Sequence, residues 1–383
     1  MSEETSHLFP TYKRWDIVFQ EANGSTVIDQ HGNEYIDMMS GIGVVNLGHK
    51  HPNVLKAVEE QLQKGWHGSN FFQYEGQERV AQILTENSTG EYVFFVNSGT
   101  EANEAAIKLA RKYRGKNKVV SFLQSFHGRT FGSMAATGQT KIHEGFGSML
   151  SGFEHIPYND VEAVKQAVDK DTAAIMLEVV QGEGGIYPGE ERFFQAVQEM
   201  IEKTGALLII DEIQTGLGRT GTFFAYEQTP LHPDIITTAK SLGNGIPTGA
   251  VIGKAFLKDA FGPGTHGSTF GGNPLAMAAA EATLTTMLAP GWLHEIKRKG
   301  ESFLEECKKV FSSVPLVKDV RGKGLMIGIE LKEEAAPYIL ALQEKGVLTI
   351  GAGPSVIRLL PPLTTEREVL QEAIHRIKEV LSS

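Results

Sequence analysis

The chain has 383 residues, with 36 lysines and arginines against 46 aspartates and glutamates, a formal net charge of −10, and a single cysteine, Cys307. That length exceeds one small core and points to a large domain with a smaller companion, while the acidic balance excludes broad contact with nucleic acid or an anionic membrane, both of which need basic patches. One cysteine excludes an intrachain disulfide and a cysteine metal cluster; small metabolites are the expected partners.

The opening MSEETSHLFPTYKRW is acidic and polar, without the apolar stretch of a secretory signal, and no run is long enough to span a bilayer. A reducing cytoplasm is the expected location. Residues 14–47 alternate as short strand-like runs, with TVIDQHGNEYIDMM reading as a hairpin around HGNE. The triplet HKH at 49–51 precedes Pro52 and has no carboxylate beside it in sequence, which favours a loop or helix-cap role over metal binding. From His51 an apolar stripe of Val54, Leu55, Val58 and Leu62 predicts a helix ending at Gly65, and a second is predicted from Glu75 to about Glu86.

Tyr92 to Asn97 reads as a buried strand, followed at once by NSGTEANEAAIKLARKYRG. Ser98 and Glu101 have the spacing of a capping box, basic residues gather late, and Gly115 follows the end. A helix opening on Ser-Gly-Thr straight after a strand offers free N–H groups to a phosphate, although the same residues serve capping alone. Strand-like and helical runs then alternate through KVVSFL, the glycine-dotted FHGRTFGSMAATG, HIPYND, AAIMLEVV, QGEGGIYPG and a helix over Phe193–Thr204. This is the pattern of an α/β domain with a mostly parallel sheet.

Two further buried strands follow, Leu207–Asp211 and Asp234–Thr238, the second ending just before Lys240. In open α/β sheets ligands sit beyond the carboxyl ends of strands, which brings Asp211 and Lys240 together there, either as a salt bridge or as a site. A lysine among apolar walls loses proton affinity and gains nucleophilicity, and pyridoxal phosphate enzymes need such a lysine together with an acid for the ring nitrogen. The sheet continues through Gly249–Gly253, and HGSTFGGNP leads into a small-residue helix over Leu275–Leu288 suited to close packing on a sheet or a second subunit. After Pro290 come a charged helix (His294–Phe311), a strand (Gly324–Leu331), a helix (Pro337–Lys345), a strand (Val356–Leu360) and a last helix (Glu366–Leu381), with a second capping box expected from Thr365 and Glu368. This small α+β part is expected to pack with the amino-terminal hairpin. The organisation reads as residues 1–50 and 290–383 forming the small domain around a large domain at 51–289.

The motifs NSGTEANEAAIKLAR, FHGRT, QGEGG, DEIQTGLGRTG, the context of Lys240, HGSTFGGNPLA and IRLLPPL, in this order over nearly the whole chain, resemble the class III pyridoxal phosphate aminotransferases, most closely their acetylornithine branch. The resemblance implies the type I fold and a homodimer with two shared active sites. It implies that Lys240 is the Schiff-base lysine and Asp211 the partner of the ring nitrogen, that Gln214 meets the ring hydroxyl, and that Ile213 and Phe126 pack on the two ring faces. Ser98, Gly99 and Thr100 would cup the phosphate, with Thr269 reaching in from the neighbouring subunit. Arg129 is similar to the arginine for the remote carboxylate, Arg358 to that for the α-carboxylate of glutamate, and Glu183 to the acid that covers Arg358 when a terminal amine binds. Tyr12, Asn70 and Phe71 are further candidates for lining the pocket.

The implied reaction is transfer of the δ-amino group of N-acetylornithine to 2-oxoglutarate, a step of arginine biosynthesis, with ornithine, 4-aminobutyrate or succinyldiaminopimelate as alternative donors. A non-enzymatic relic of the fold would be expected to lack the lysine, the aspartate or a substrate arginine, and all are present. A dehydrogenase would need G-x-G-x-x-G after an early strand with an acid about 20 residues on, which does not occur.

Overall fold

Short β-branched runs with no polar interruption need cover on both faces. In the computed structural model, which describes residues 7–383, such runs form one sheet with the more polar edge strand Phe153–Ile156, in the order Tyr92–Val96, Gly249–Gly253, Ile235–Thr238, Leu207–Asp211, Thr172–Leu177, Lys118–Phe122 and Phe153–Ile156. Gly249–Gly253 pairs antiparallel to both neighbours, and all other pairs in the sheet are parallel. The two-residue period sends Leu208, Ile210, Ile236 and Ile175 into one core with Phe193, Val197, Met277 and Ala280. Leu207, Ile209, Ile235 and Ala174 go to the other side, under Ala102, Ala105, Ala106 and Ala110 of the helix Gly99–Arg114. Alanines on that face let the helix lie close to the strands, and its amino end thereby stands at the sheet's carboxyl edge.

Two smaller sheets flank this layer. Val317–Lys323, Met326–Leu331, Val356–Leu359 and Ile350–Ala352 pair antiparallel and share a core with Phe303, Cys307, Phe311, Ile374 and Ile377. Phe19–Asn23, Thr26–Asp29 and Glu34–Asp37 form the amino-terminal meander, and Val347–Leu348 from the carboxy-terminal part joins it in parallel. The amino- and carboxy-terminal segments are thus tied by backbone hydrogen bonds, among them Ile36 N–H to Gly346 O at 2.9 Å and Met38 N–H to Leu348 O at 2.9 Å.

Several local expectations give way to tertiary context. The strand Val317–Lys323 reads VKDVRGK, too charged for its pattern to mark it; it is partly exposed, and Lys318 and Arg321 both pair with Glu330 across the ladder. The box expected at Thr365 and Glu368 does not form: Thr365 is buried, Glu366 takes the cap position of Arg367–Ser382 without a side-chain bond, and Lys299 Nζ donates to the Leu363 and Thr365 carbonyls at 2.8 and 3.1 Å. At Ser98 half of the box is present, since Ser98 Oγ accepts from Glu101 N–H at 3.3 Å, while Glu101 Oε2 accepts from the Asn97 N–H instead, at 2.6 Å. His49 Nε2 lies 2.8 Å from Asp37 Oδ2, a carboxylate neighbour that only the fold supplies.

Arg219, fully buried, joins three segments: Nη1 donates to the carbonyls of Leu325 (3.0 Å) and Pro361 (2.6 Å), and Nη2 to Asn46 Oδ1 (2.6 Å). Burial pulls its guanidinium down to about 9, against the opposing charge of Asp37. Replacing Arg219 with Leu strips the hydrogen-bond donors from two buried carbonyls and an amide at once, and is expected to lower stability by about 3 kcal/mol. Urea denaturation of the variant checks this; an unchanged midpoint would mean that the three segments are held by packing alone.

Candidate active site

Parallel pairing sets Asp211 opposite Thr237, so the two strands end at one level and Lys240 follows three residues later. Lys240 opens a tight turn, Lys240–Gly243, with φ of 46°, and its side chain joins Asp211 in the wall of a cavity of about 250 Å³. The other walls come from Gly99, Thr100, Phe126, His127, Gly128, Arg129, Glu178, Glu183, Ile213 and Gln214.

Asp211 is buried, and a buried charge must be matched by donors. Its Oδ2 accepts from Asn103 Nδ2 and meets His127 Nδ1, both at 2.8 Å, and its Oδ1 accepts from the Ile213 N–H at 3.0 Å. A carboxylate only accepts, which assigns the imidazole proton to Nδ1. Asn103 is fixed in turn, donating to the His127 carbonyl at 2.7 Å and accepting from Thr237 Oγ1 at 2.8 Å. Lys240 is half-buried, and that enclosure, helped by the charge of Arg358, lowers its proton affinity although Glu183, Asp211 and Glu178 oppose the shift.

Two glycines are required where the walls close. A Cβ on Gly99 would stand 2.7 Å from Ile213 Cδ1, and one on Gly128, whose φ is +138°, only 2.3 Å from Thr100 Oγ1. Phe126 and Ile213 furnish the apolar surfaces of the cavity, and Arg129 lies 5.7 Å over the Phe126 ring with its side chain exposed to the mouth. Glu183 is the one residue of 181–183 that lines the cavity. Glu178, buried, accepts from the N–H groups of Phe126 (2.9 Å) and Gly182 (3.0 Å); burial raises its carboxyl to about 7, with the charge of Asp211 adding to the rise.

Glu183 and Arg358, far apart in sequence, form an ion pair of 2.6 Å. Burial alone would raise the Glu183 carboxyl, but the Arg358 charge and hydrogen bond outweigh it and hold it below the usual range. Arg358 is fully buried; its Nη1 also donates to Gln214 Oε1 at 3.0 Å, and its Nε has no partner. Gln214, expected to serve a ring hydroxyl, is occupied here with Arg358 and, at 3.3 Å, with Glu183.

Not every expected residue lies in this wall. Ser98 caps its helix from just outside, and Thr269 is exposed in a different pocket, beside Asn70, Phe71 and Ser268. Asn70 holds that loop, donating to the Ser268 and Gly271 carbonyls at 3.0 Å each. Tyr12 and Phe71 are exposed, and neither they nor Asn70 line the cavity. Conversely, Asn103, His127, Thr237 and Glu178 were not singled out from sequence. The available signal was a polar residue on an otherwise apolar helix face (Asn103) or inside an apolar strand-like run (Thr237, Glu178).

A family model for aminotransferase class-III matches residues 10–381. The chain belongs to the class-III aminotransferases. An acetylornithine aminotransferase of Bacillus cereus is 55% identical over 377 residues, covering 98% of each chain. Among solved structures, an ornithine aminotransferase of Toxoplasma gondii superposes with a TM-score of 0.94 at 33% identity over 98% of this chain and 92% of that one. An N-acetylornithine aminotransferase of Stenotrophomonas maltophilia gives 0.85 at 34% identity, over 97% of each. The fold is therefore that of the pyridoxal phosphate-dependent aminotransferases, a large domain with a mostly parallel sheet plus a smaller α+β domain.

The cavity of this class-III aminotransferase suits that cofactor on its own chemistry. Phe126 and Ile213 offer apolar surfaces to a flat ring, the buried Asp211, held by Asn103, His127 and the Ile213 N–H, would be the acid for a ring N–H⁺, an amine of lowered basicity stands at the same strand edge, and the amino end of Gly99–Arg114 lines the cavity.

Glu212, next to Asp211, points the other way into the core, accepting from Thr215 Oγ1 at 2.5 Å and the Tyr226 N–H at 2.8 Å. Burial raises its carboxyl to about 7, with these donors opposing. A folded-state value above the unfolded one makes the contribution to stability complete below about 4.5 and progressively lost as pH rises through 7, by about 3 kcal/mol. Glu212→Gln is expected to flatten the fall in stability between pH 5 and 8 by roughly that amount. Denaturation at a series of pH values checks it, and an unaltered slope would refute the assignment.

Proposed function

We propose that this enzyme transfers the δ-amino group of N-acetylornithine to 2-oxoglutarate, giving N-acetylglutamate 5-semialdehyde and glutamate. The observation that carries the two-substrate reading is the Arg358–Glu183 pair, a carboxylate-binding arginine already covered by an acid. With Glu183 in place, the pocket beside the reacting carbon is neutral and accepts a terminal amine; with Glu183 displaced, Arg358 is free to grip the α-carboxylate of glutamate or 2-oxoglutarate, and its unpartnered Nε supports that use. Arg129, at the mouth, is the counterpart for the far carboxylate that both substrates carry. The choice of N-acetylornithine over ornithine rests on the 55% identity to an enzyme named for the former, against 33% to one named for the latter.

When bound, pyridoxal phosphate supplies a ring whose protonated nitrogen draws in the electrons left by a departing substrate C–H proton. Asp211, itself held by Asn103, His127 and the Ile213 N–H, would fix the proton on that nitrogen. Phe126 and Ile213 would pack on the ring, and Ser98, Gly99 and Thr100 would offer N–H groups to the phosphate. Gln214 would serve the ring hydroxyl, exchanging its present partners for it. Lys240 would hold the cofactor and, freed when the donor amine takes its place, its Nζ would accept the proton from the δ-carbon of N-acetylornithine and, in the second half-reaction, deliver one to C2 of 2-oxoglutarate before resuming its place. Its lowered basicity leaves more of the amine in the accepting form at neutral pH. One product leaves before the second substrate enters, so the kinetics are ping-pong.

Residues 51–289 act as the cofactor-binding domain, while 1–50, of which 1–6 lie outside the described residues, and 290–383 make up the smaller one that carries Arg358. The active form is a cytoplasmic homodimer. Phe71 and Phe270 are 99% and 59% exposed beside Thr269, apolar surface that a second copy of the chain would cover while Thr269 reaches its partner's phosphate. No helix among the described residues is long and apolar enough to cross a membrane.

A single-turnover titration with N-acetylornithine, ornithine, 4-aminobutyrate and succinyldiaminopimelate, followed by the cofactor absorbance, tests the donor: N-acetylornithine should convert with the highest efficiency, and faster conversion by ornithine would reject it. Lys240→Ala is expected to bind the cofactor but lose it on dialysis and to show no transamination; retained turnover would remove Lys240 from its role.

A further inference from the structure

Between Gln181 and Pro188 the chain makes a turn that carries Glu183, and its conformation is not one it would hold unaided. Gly185 has φ of +126°, with room for no side chain beside the Tyr187 ring, where a Cβ would come within 2.7 Å. Ile186, β-branched and fully buried, has φ of 55°, a left-handed backbone that such residues avoid. Opposition from neighbours must keep it so. On one side the turn is tied by Glu178 to the Gly182 N–H and by Gln181 Nε2 to the Leu123 carbonyl at 3.0 Å.

The pairing of Val180 with Pro188 and of Gln181 with Tyr187 closes the ends of the turn, and on the other side one arginine meets its carbonyls. Arg321, from Val317–Lys323, donates from Nε and Nη2 to the Gly185 carbonyl at 3.0 and 2.7 Å and from Nε to the Ile186 carbonyl at 3.1 Å. Its guanidinium lies 4.0 Å over the Tyr187 ring. From behind, Nη1 is held by Asp319 at 2.9 Å and by Glu330, which Lys318 also contacts. Gly328 leaves space for Ile186, a Cβ there standing only 3.0 Å from its side chain. A planar fork, a stacked ring and two backing carboxylates fix Arg321 in place, and Arg321 fixes the turn.

We infer that Arg321 is a specificity-determining positioning residue: it holds the turn so that Glu183 masks Arg358, and thereby sets how readily the pocket exchanges a terminal-amine substrate for an α-carboxylate one. This rests on the reading of Glu183 as the cover of Arg358. Without the clamp the left-handed turn relaxes, Glu183 spends less time on Arg358, and the exposed guanidinium favours dicarboxylates.

Three variants of the holoenzyme test it: Arg321→Ala, Arg321→Lys and Glu183→Ala. In single-turnover half-reactions, Arg321→Ala should raise the half-saturating concentration of N-acetylornithine about tenfold and lower that of glutamate about threefold. Calorimetric binding of glutarate, a dicarboxylate that cannot react, should tighten about threefold as well. Arg321→Lys keeps the charge beside Glu330 but not the fork, and should fall between. If Arg321→Ala does not fold, Glu330→Gln, which loosens the arginine from behind, should give the same split at smaller size. Equal changes in both half-reactions with unchanged glutarate binding would mark Arg321 as merely structural and overturn the inference. If Glu183→Ala itself fails to favour glutamate, the masking reading is wrong and the inference falls with it; if Glu183→Ala shows the split and Arg321→Ala does not, only the inference falls.

Discussion

The hydrogen bonds that surround the Asp211 carboxylate fix more of this molecule than any other set of contacts. A charge at the end of a fully buried strand is tolerated only if donors meet it, and each donor belongs to a different part of the site. Asn103 sits one turn into the helix Gly99–Arg114, so its bond sets the depth at which that helix presents its amino end. His127 comes from the loop that also carries Phe126 and Arg129, so its bond sets one apolar wall and the mouth of the cavity. The Ile213 N–H orients another apolar wall. Helix end, apolar walls and mouth are thereby referred to one acid, and the parallel register that puts Thr237 beside it also delivers Lys240.

Much of this was legible in the amino-acid sequence. Most large-sheet strands stand out because they are short, apolar and bounded by glycine or charge, the edge strand Phe153–Ile156, which reads FEHI, being the exception, and Gly249–Gly253 matches its expected limits residue for residue. Asp211 and Lys240 could be set at one edge from strand ends alone. What stayed hidden has a common physical character. Asn103, Thr237 and Glu178 are polar residues on buried faces, and a sequence shows that such a group exists without showing what satisfies it. Val317–Lys323 is strand by virtue of its neighbour Met326–Leu331, whose Glu330 neutralises its cations. Thr365 has the spacing of a cap yet is turned into the core, so tertiary packing decides against the local signal. The pairing of Glu183 with Arg358 could be reached only through family resemblance.

Three arginines illustrate how one side chain is put to different ends by its surroundings. Arg219 meets only carbonyls and amide or hydroxyl oxygens, so its fork acts as a permanent cross-link and burial lowers its basicity. Arg358 is as deeply buried but has a carboxylate partner, Glu183, which itself lines the cavity, the arrangement on which the proposed exchange for another anion rests. Arg321 lies between: two carboxylates secure it and two carbonyls are secured by it. Lysine could replace the charge in none of these without losing the planar geometry that reaches several acceptors at once.

The charges lining the cavity explain why the acids do not simply neutralise the lysine. Glu178, Glu183 and Asp211 face Lys240 and Arg129. Burial pushes the Glu178 carboxyl up to about 7, and Glu183 is committed to Arg358. Asp211 is engaged with three donors of its own, so no carboxylate is left to form a close salt bridge with the amine, and among the described residues none lies within bonding distance of Lys240. The amine therefore feels attraction from several acids at a distance but not enough to offset its enclosure, and its basicity falls. A direct Lys240–Asp211 ion pair would defeat the proposed chemistry, because the same contact would occupy both groups assigned there to the cofactor. The donors on Asp211 are what prevents it.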